Sequence, residues 1–428
     1  MNQISKYCSS QKSPLGEPTV GVSQLGGYTL PNGIRLILQP EKTAVTHCGM
    51  IINTGSRDET EEQFGMAHFV EHLLFKGTKK RRSRHIINRL EDVGGELNAY
   101  TSKEETVVYA SVLNEYTERA VELIGDIVLH STFPQKEIEK KVEVVLDEIQ
   151  SYNDSPAELI YDDFEEILFD QHSLGHNILG TSQLLTGYTH DDASQFFNQH
   201  YRPEEMVFFV LGNINEKQLL RWAERYFQFD NTISTAQKRI SPTIYVPQQK
   251  KIDRNTHQTH FMLGNRAYDL HHSNRLGMVL LNNILGGPGM NSLLNLSLRE
   301  KHGLVYQVES NYQGLTDTGM WNVYFGCDPD NADRCEQLVY KELQKLREQQ
   351  LSDKLLRKYK LQLMGQLAIS NEMKEHLALS IGKSYLRFGK VDSLEVIHQR
   401  IDAITTEQLQ TIANEIFEPN QLSVLKYM

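Results

Sequence analysis

The chain reads as an α+β protein built from two similar domains, the product of a duplicated half-chain. Three observations predict this. First, 428 residues exceed what one ordinary hydrophobic core organises. Second, the halves echo each other: Asn198, Tyr201, Pro203 and Met206 are matched by Asn414, Phe417, Pro419 and Leu422, each 216 positions later. Third, adjacent strands are followed by runs of helix, the order expected of α+β architecture.

The elements follow from local pattern. The Asn32-Gly33 turn leads into a strand over 34–38, and β-rich apolar runs predict strands over 47–53 and 106–112. Helices are expected over 83–93, 114–130 and 134–152. Both repeat segments follow a helix opened by threonine and run into an apolar strand, over 207–211 and 422–425. A weaker match sets Gly65-Met66 against Gly277-Met278 and puts Leu280, Asn283 and Ile284 opposite His68, Glu71 and His72. On that register the second half keeps the fold and has lost the polar triplet. The expected boundaries are a loosely ordered lead-in over 1–27, a first domain over 28–235, a linker over 236–255 and a second domain over 256–428.

His68-Phe69-Val70-Glu71-His72 carries the chemistry. Histidines at i and i+4 project from one helix face and can share a metal. Glu71 lies near that face, able to take a proton from a metal-activated water without being a ligand. The plain alternative is a helix whose histidines cap or pack. Zinc needs a third ligand. Ile138, Val142, Val145 and Ile149 mark an amphipathic helix, and Val144 and Val145, one turn earlier, set Glu148 beside its apolar face. A carboxylate there is costly unless paired or bound to metal. Asp147 turns further towards solvent, and Glu148 by itself reads equally as a surface glutamate.

His68-x-x-Glu71-His72, followed by Leu146-Asp147-Glu148-Ile149, resembles the pitrilysin or insulinase group of zinc metallopeptidases. It is most similar to the mitochondrial-processing-peptidase-like branch and its single-chain bacterial relatives. Gly94-Gly95-Glu96-Leu97-Asn98-Ala99-Tyr100-Thr101, Gly175-His176-Asn177-Ile178-Leu179-Gly180 and Leu298-Arg299-Glu300-Lys301-His302-Gly303-Leu304-Val305-Tyr306 match as well, so the likeness runs from about Tyr28 to the C-terminus.

The resemblance implies a clam shell of two α+β domains around a chamber. It implies one Zn2+ per chain on His68, His72 and Glu148, and Glu71 as general base and then proton donor of an endopeptidase acting on extended peptides or unfolded segments. Arg299 and Tyr306, seven residues apart, would assist from the second domain; read from local pattern, they are a helix-end arginine and a core tyrosine. Asn98 and Ala99 would position the peptide along a strand edge, otherwise a plain turn-to-strand junction. Phe75 would line the pocket for the side chain after the cut; its other reading is core. Glu158 and Asp162 would read a basic residue, although acidic helix faces are commonly only solvated.

Two departures stand out. Lys141 occupies the position, two turns before Glu148, where relatives often have another glutamate, and it bears on support for the metal. Leu293 closes the glycine-rich segment 285–292 where relatives usually place an arginine. That segment lacks the Gly-Lys-Ser/Thr of a phosphate cradle.

Composition excludes other classes. A formal charge of −11 argues against general nucleic-acid binding and suits a cationic peptide. No apolar run approaches the roughly 20 residues of a membrane span. The N-terminus has neither the apolar core of a secretory signal nor an arginine-rich amphipathic presequence, so a cytoplasmic location is expected. Cys8, Cys48, Cys327 and Cys335 are scattered and read as reduced thiols away from the metal. His257, His260, His271 and His272 form no second site. Metal motif and Arg/Tyr pair on one chain predict a homodimer, with a heterodimer containing a metal-free homologue as the alternative. A catalytically silent scaffold or partner subunit is the rival function, opposed by the complete metal motif. A metal-binding module of another class is opposed by the long second domain.

Overall fold

The structure, a computed structural model, describes residues 25–229, 238–243 and 245–428. Two antiparallel-rich sheets organise it. The first comprises β1 (Gly26–Thr29), β2 (Arg35–Pro40), β3 (Val45–Ile52), β4 (Glu96–Thr101), β5 (Thr106–Leu113) and β6 (Met206–Gly212), in the order β1-β2-β6-β3-β5-β4. The second comprises β7 (Gln249–Ile252), β8 (Thr259–Ala267), β9 (Val305–Gly314), β10 (Gly319–Cys327) and β11 (Ser423–Tyr427), in the order β7-β11-β8-β10-β9. Removing β1 makes the two topologies superimposable: β2 runs parallel to β6, and β7 runs parallel to β11.

The helices repeat too. The first half carries α1 (Met66–Leu74), α2 (Ser83–Glu91), α3 (Thr117–His130), α4 (Gln135–Asn153), α5 (Pro156–Leu168), α6 (Ser182–Leu185), α7 (His190–His200) and α8 (Glu216–Tyr226). The second carries α9 (Arg275–Gly286), α10 (Ala332–Glu348), α11 (Asp353–Asn371), α12 (Lys374–Phe388), α13 (Leu394–Asp402) and α14 (Thr406–Ile416). The threonines expected to open paired helices do so: the Thr189 hydroxyl accepts from Asp192 N at 3.4 Å, and the Thr405 hydroxyl from Gln408 N at 3.1 Å.

Three boundaries differ from expectation. Gly26 and Gly27 already belong to β1, because their backbone pairs with β2; the rest of the lead-in, to residue 24, lies outside the described residues. The expected linker contains β7, which has too few apolar residues to announce itself and is held by pairing with β11. The helix whose end was expected at Arg299 finishes in a wide π-type turn over Asn295–Glu300, in which Lys301 N reaches back to Leu296 O, and Gly303 at φ +60° stops it.

Each sheet buries one face under helices of its own half. The other face is covered by a helix from the opposite half. Ala378, Ile381 and Leu386 of α12 pack on Ile37, Ile51, Val207 and Phe209 of the first sheet. Ile160, Phe164 and Leu168 of α5 pack on Met262 and Leu425 of the second. This is why β6 is apolar and buried along its whole length. Gly382 lets α12 approach, since a Cβ there would stand 2.6 Å from Phe209 Cδ1.

A buried charge network closes the same interface. Arg57 of the first half bonds Glu104 at 2.6 Å and Asp317 of the second half at 2.7 Å. Arg239, in the connection between the halves, pairs with both oxygens of Asp58 at 2.8 Å. Arg387 of α12 bonds Glu105 at 3.2 Å, and Glu104 also accepts from Thr316 N at 3.0 Å. Removing one partner strands the others in low dielectric. Glu104→Ala is therefore expected to destabilise the fold by about 3–5 kcal/mol in urea denaturation; a loss under about 1 kcal/mol would mean that water replaces the carboxylate.

Candidate active site

Helix α1 begins where Gly65 takes φ +97°, and its first turn is held by Glu59, whose carboxylate accepts from Gly65 N at 2.9 Å and Ala67 N at 2.6 Å. His176 Nε2 donates to the same carboxylate at 2.7 Å and stacks on Phe64. This clamp ties the metal helix to the loop 175–180. The loop matched the family pattern in sequence, but Glu59 carried no local signal of its role.

His68 and His72 project from one face of α1 towards Glu148 on α4. His68 Nε2 lies 3.8 Å from one Glu148 oxygen and His72 Nε2 3.5 Å from the other. One ligand atom from each residue falls within 4.8 Å of the others, and no other cluster of this kind occurs among the described residues. Tetrahedral zinc with bonds of about 2.0–2.2 Å separates its ligand atoms by roughly 3.3–3.6 Å. The His72 contact falls within that spacing and the His68 contact 0.2 Å beyond it, and neither has the length of a good hydrogen bond. His72 Nε2 is buried without a hydrogen-bond partner, as an atom reserved for a metal would be. The residues fit zinc. The weak point is His68 Nδ1, which is also buried without a partner, so the usual second hydrogen bond that orients a metal-binding imidazole is missing.

Electrostatics suit ligation. Burial, then the Lys141 charge, brings His68 down to about 4. Burial, His68, Lys141 and Lys76 bring His72 down to about 3. Both imidazoles are neutral at pH 7, so the contacts with Glu148 are not ion pairs. Burial and the neighbouring Glu148 push Glu71 up to about 7, while Lys141 and the Thr101 hydroxyl pull it back. Burial raises Glu148, and Lys141 opposes it. Lys141 thus works as a half-buried counter-charge to the two glutamates and repels cations from the histidines.

The triad opens into a cleft of about 380 Å³ lined by Glu71, Ala99, Tyr100, Thr101, Tyr152, Asp162 and the loop residues Asn177, Ile178 and Leu179. Asp162 accepts from Asn177 Nδ2 at 2.9 Å, and burial pushes it up to about 6. Other expected site residues lie elsewhere. Asn98 is exposed on β4 and Glu158 is exposed on α5, because strand alternation and helix phase turn them from the cleft. Phe75 ends α1, half-buried against the core, and does not line the cleft. Val144 is 50% exposed, which leaves Val145 alone to mark the apolar face beside Glu148.

Arg299 and Tyr306 share a different cleft, of about 430 Å³, with Asn283 and the glycine-rich segment; none of its lining residues lines the metal cleft. Tyr306 is not a core residue but 89% exposed. In the position corresponding to α1, Leu280, Asn283 and Ile284 of α9 are buried, so the second half packs where the first presents its triad.

Comparison with known proteins gives two family models. Residues 35–182 match the model of the insulinase family, peptidase family M16, and residues 187–363 that of the peptidase M16 inactive domain. The chain is 32% identical over 391 residues to the uncharacterized zinc protease YmxG of Bacillus subtilis, covering 91% of this chain and 95% of that protein.

The chain belongs to the M16 peptidase family.

It is also 31% identical to an uncharacterized zinc protease of Streptomyces coelicolor, over 92% of this chain and 88% of the other. Among solved structures, a protease from Helicobacter pylori shares the fold at TM-score 0.88 and 22% identity, covering 95% of this chain and 100% of that one. A peptidase M16 inactive domain from Pseudomonas fluorescens does so at 0.87 and 19%, with 94% and 97% coverage. This M16 member is thus a two-domain α+β zinc-peptidase homologue, and no helix among its described residues is long and apolar enough to cross a membrane.

The raised Glu71 has a measurable consequence in the metal-free protein. Below its ordinary value of 4.5 the group is protonated whether the chain is folded or not. As pH rises through about 7 the folded state must ionise it in place, and that contribution to stability is lost. Metal-free Glu71→Gln is therefore expected to be more stable than wild type at pH 8, by on the order of 2–3 kcal/mol, with the gap closing towards pH 5. Urea denaturation in chelator at both pH values reads this directly; equal stability at pH 8 would mean that the cleft solvates the carboxylate.

Proposed function

We propose that this M16 member is a zinc-dependent endopeptidase acting on extended peptides or unfolded segments, with one zinc per chain held by His68, His72 and Glu148. The carrying observation is the convergence of two neutral imidazoles and a carboxylate beside a second, buried glutamate. When bound, zinc brings the pKa of a coordinated water to about 7. Glu71, buried beside the triad, takes the water proton and returns it to the leaving amine. Asp162 offers a carboxylate to a basic side chain entering the cleft. β4 ends its sheet, so its outer backbone edge is available to an extended peptide, held at Asn98 and Ala99. A cleft of this size admits a strand and excludes a folded domain.

Glu71→Gln is expected to keep zinc near one per chain and lose more than about 100-fold in peptide cleavage, since glutamine cannot accept the proton. His72→Ala is the companion control and loses the metal. Cleavage within a few-fold of wild type in Glu71→Gln would remove Glu71 as the base.

The place of Arg299 and Tyr306 follows from the interface. Exchanged helices and a buried charge network hold the two halves together, which opposes a hinge motion carrying the pair to the metal of its own chain. A second copy can present its exposed Tyr306 and Arg299 instead, so the assembly is a homodimer. Mixing Glu71→Gln with Arg299→Ala, each inactive alone, then restores up to about a quarter of wild-type activity through heterodimers with one complete site. Absence of recovery, with differently tagged copies shown to co-purify, would place the pair's action within one chain or remove it.

A further inference from the structure

We propose that the cavity on the far face of β4 from the metal helix is a subsite for an acidic side chain of the peptide, which makes this enzyme selective for a carboxylate close to the cut. The proposal rests on the peptidase reading above.

Successive side chains of a strand point to opposite faces. Ala99 and Thr101 line the metal cleft. Tyr100, between them, packs towards α12 and lines both the metal cleft and a second cavity of about 600 Å³. The two hollows therefore meet around the free edge of β4. A peptide paired to that edge carries the same alternation, so a side chain turned to the metal face is followed by one turned to the cavity.

The cavity is lined by Glu104 and Glu105 as well as by Lys383, Arg387 and Arg275, which leaves one cation in excess. Lys383 and Arg387 of α12 line it, but their charges are met: Lys383 Nζ lies 2.6 Å from Glu105, and Arg387 bonds Glu105 at 3.2 Å and lies 3.7 Å from Glu104. Arg275 is different. Among the described residues no carboxylate pairs with its guanidinium, which lies over the ring of Phe388 at 5.3 Å. Arg275 is also the first residue of α9, the end of a helix where the backbone dipole disfavours a cation. A guanidinium steadied on an aromatic face and set against a positive helix end is matched by a planar anion. The side chain of aspartate or glutamate on an extended peptide supplies one. Asp162 on the metal face and Arg275 on the cavity face would then read opposite charges on neighbouring residues.

The test is a peptide library with both ends blocked, randomised at the positions flanking the cut, and digested by zinc-loaded protein. Wild type is expected to favour Glu or Asp over Gln or Asn by about tenfold at one position, the scale of a charged hydrogen bond in a partly open site. Arg275→Glu should turn that preference to Lys or Arg, and Arg275→Gln should erase it; zinc content and melting temperature establish that each variant is folded. A wild-type profile without acidic preference, or one that survives both substitutions, overturns the subsite and leaves the peptidase reading standing. Absence of zinc-dependent cleavage of every peptide removes both.

Discussion

Each half of this protein builds a sheet with two apolar faces and supplies helices of its own for one of them. Everything else depends on how the remaining face is closed. Phe209 and Ile51 are covered because α12 crosses over, and Met262 and Leu425 because α5 crosses the other way. Side chains of this size each contribute about 1.5–3 kcal/mol when buried. Separation of the halves would therefore expose two cores at once. The relative placement of metal cleft, β4 edge and the 600 Å³ cavity is fixed by that mutual dependence.

Inside this frame the metal cleft is a set of groups that burial drives towards neutrality. Two imidazoles lose their protons readily and two carboxylates keep theirs longer than usual, with Lys141 as the local counter-charge. A cation entering the cleft meets no fixed positive charge from the histidines. Electrostatic resistance comes from Lys141. Glu59 and His176 add mechanical support by clamping the start of α1 to the loop that forms the opposite wall.

What was legible in the sequence was what is local. The i, i+4 histidines and the α4 stripe specify the triad because helix geometry alone aligns them. The half-chain repeat appears because capping threonines, and prolines that open the short 3-10 turns before β6 and β11, recur at fixed spacing. What was hidden depends on contacts across long separations. β7 is a strand only because β11 lies beside it, and Glu104 gains its meaning from Arg57, Arg239 and Arg387, which come from three parts of the chain. Exposure was also misjudged where sequence offers only a residue type. The core alternative for Tyr306 fails because the side chain stands in solvent, and Asn98 and Glu158 lie on the faces that turn away from the cleft.

The crossing helices have the geometry of a domain-swapped pair whose two members have been joined end to end. In such a pair each member is the folding partner of the other, and the connection turns an encounter between molecules into an intramolecular event at high effective concentration. Joined in this way, the copies no longer have to be identical. One could retain a helix with a polar face turned to the cleft while the other, at Leu280 and Ile284, filled the same position with apolar side chains. The asymmetry between α1 and α9 is thus a division of labour that an assembly of two identical half-chains could not have made.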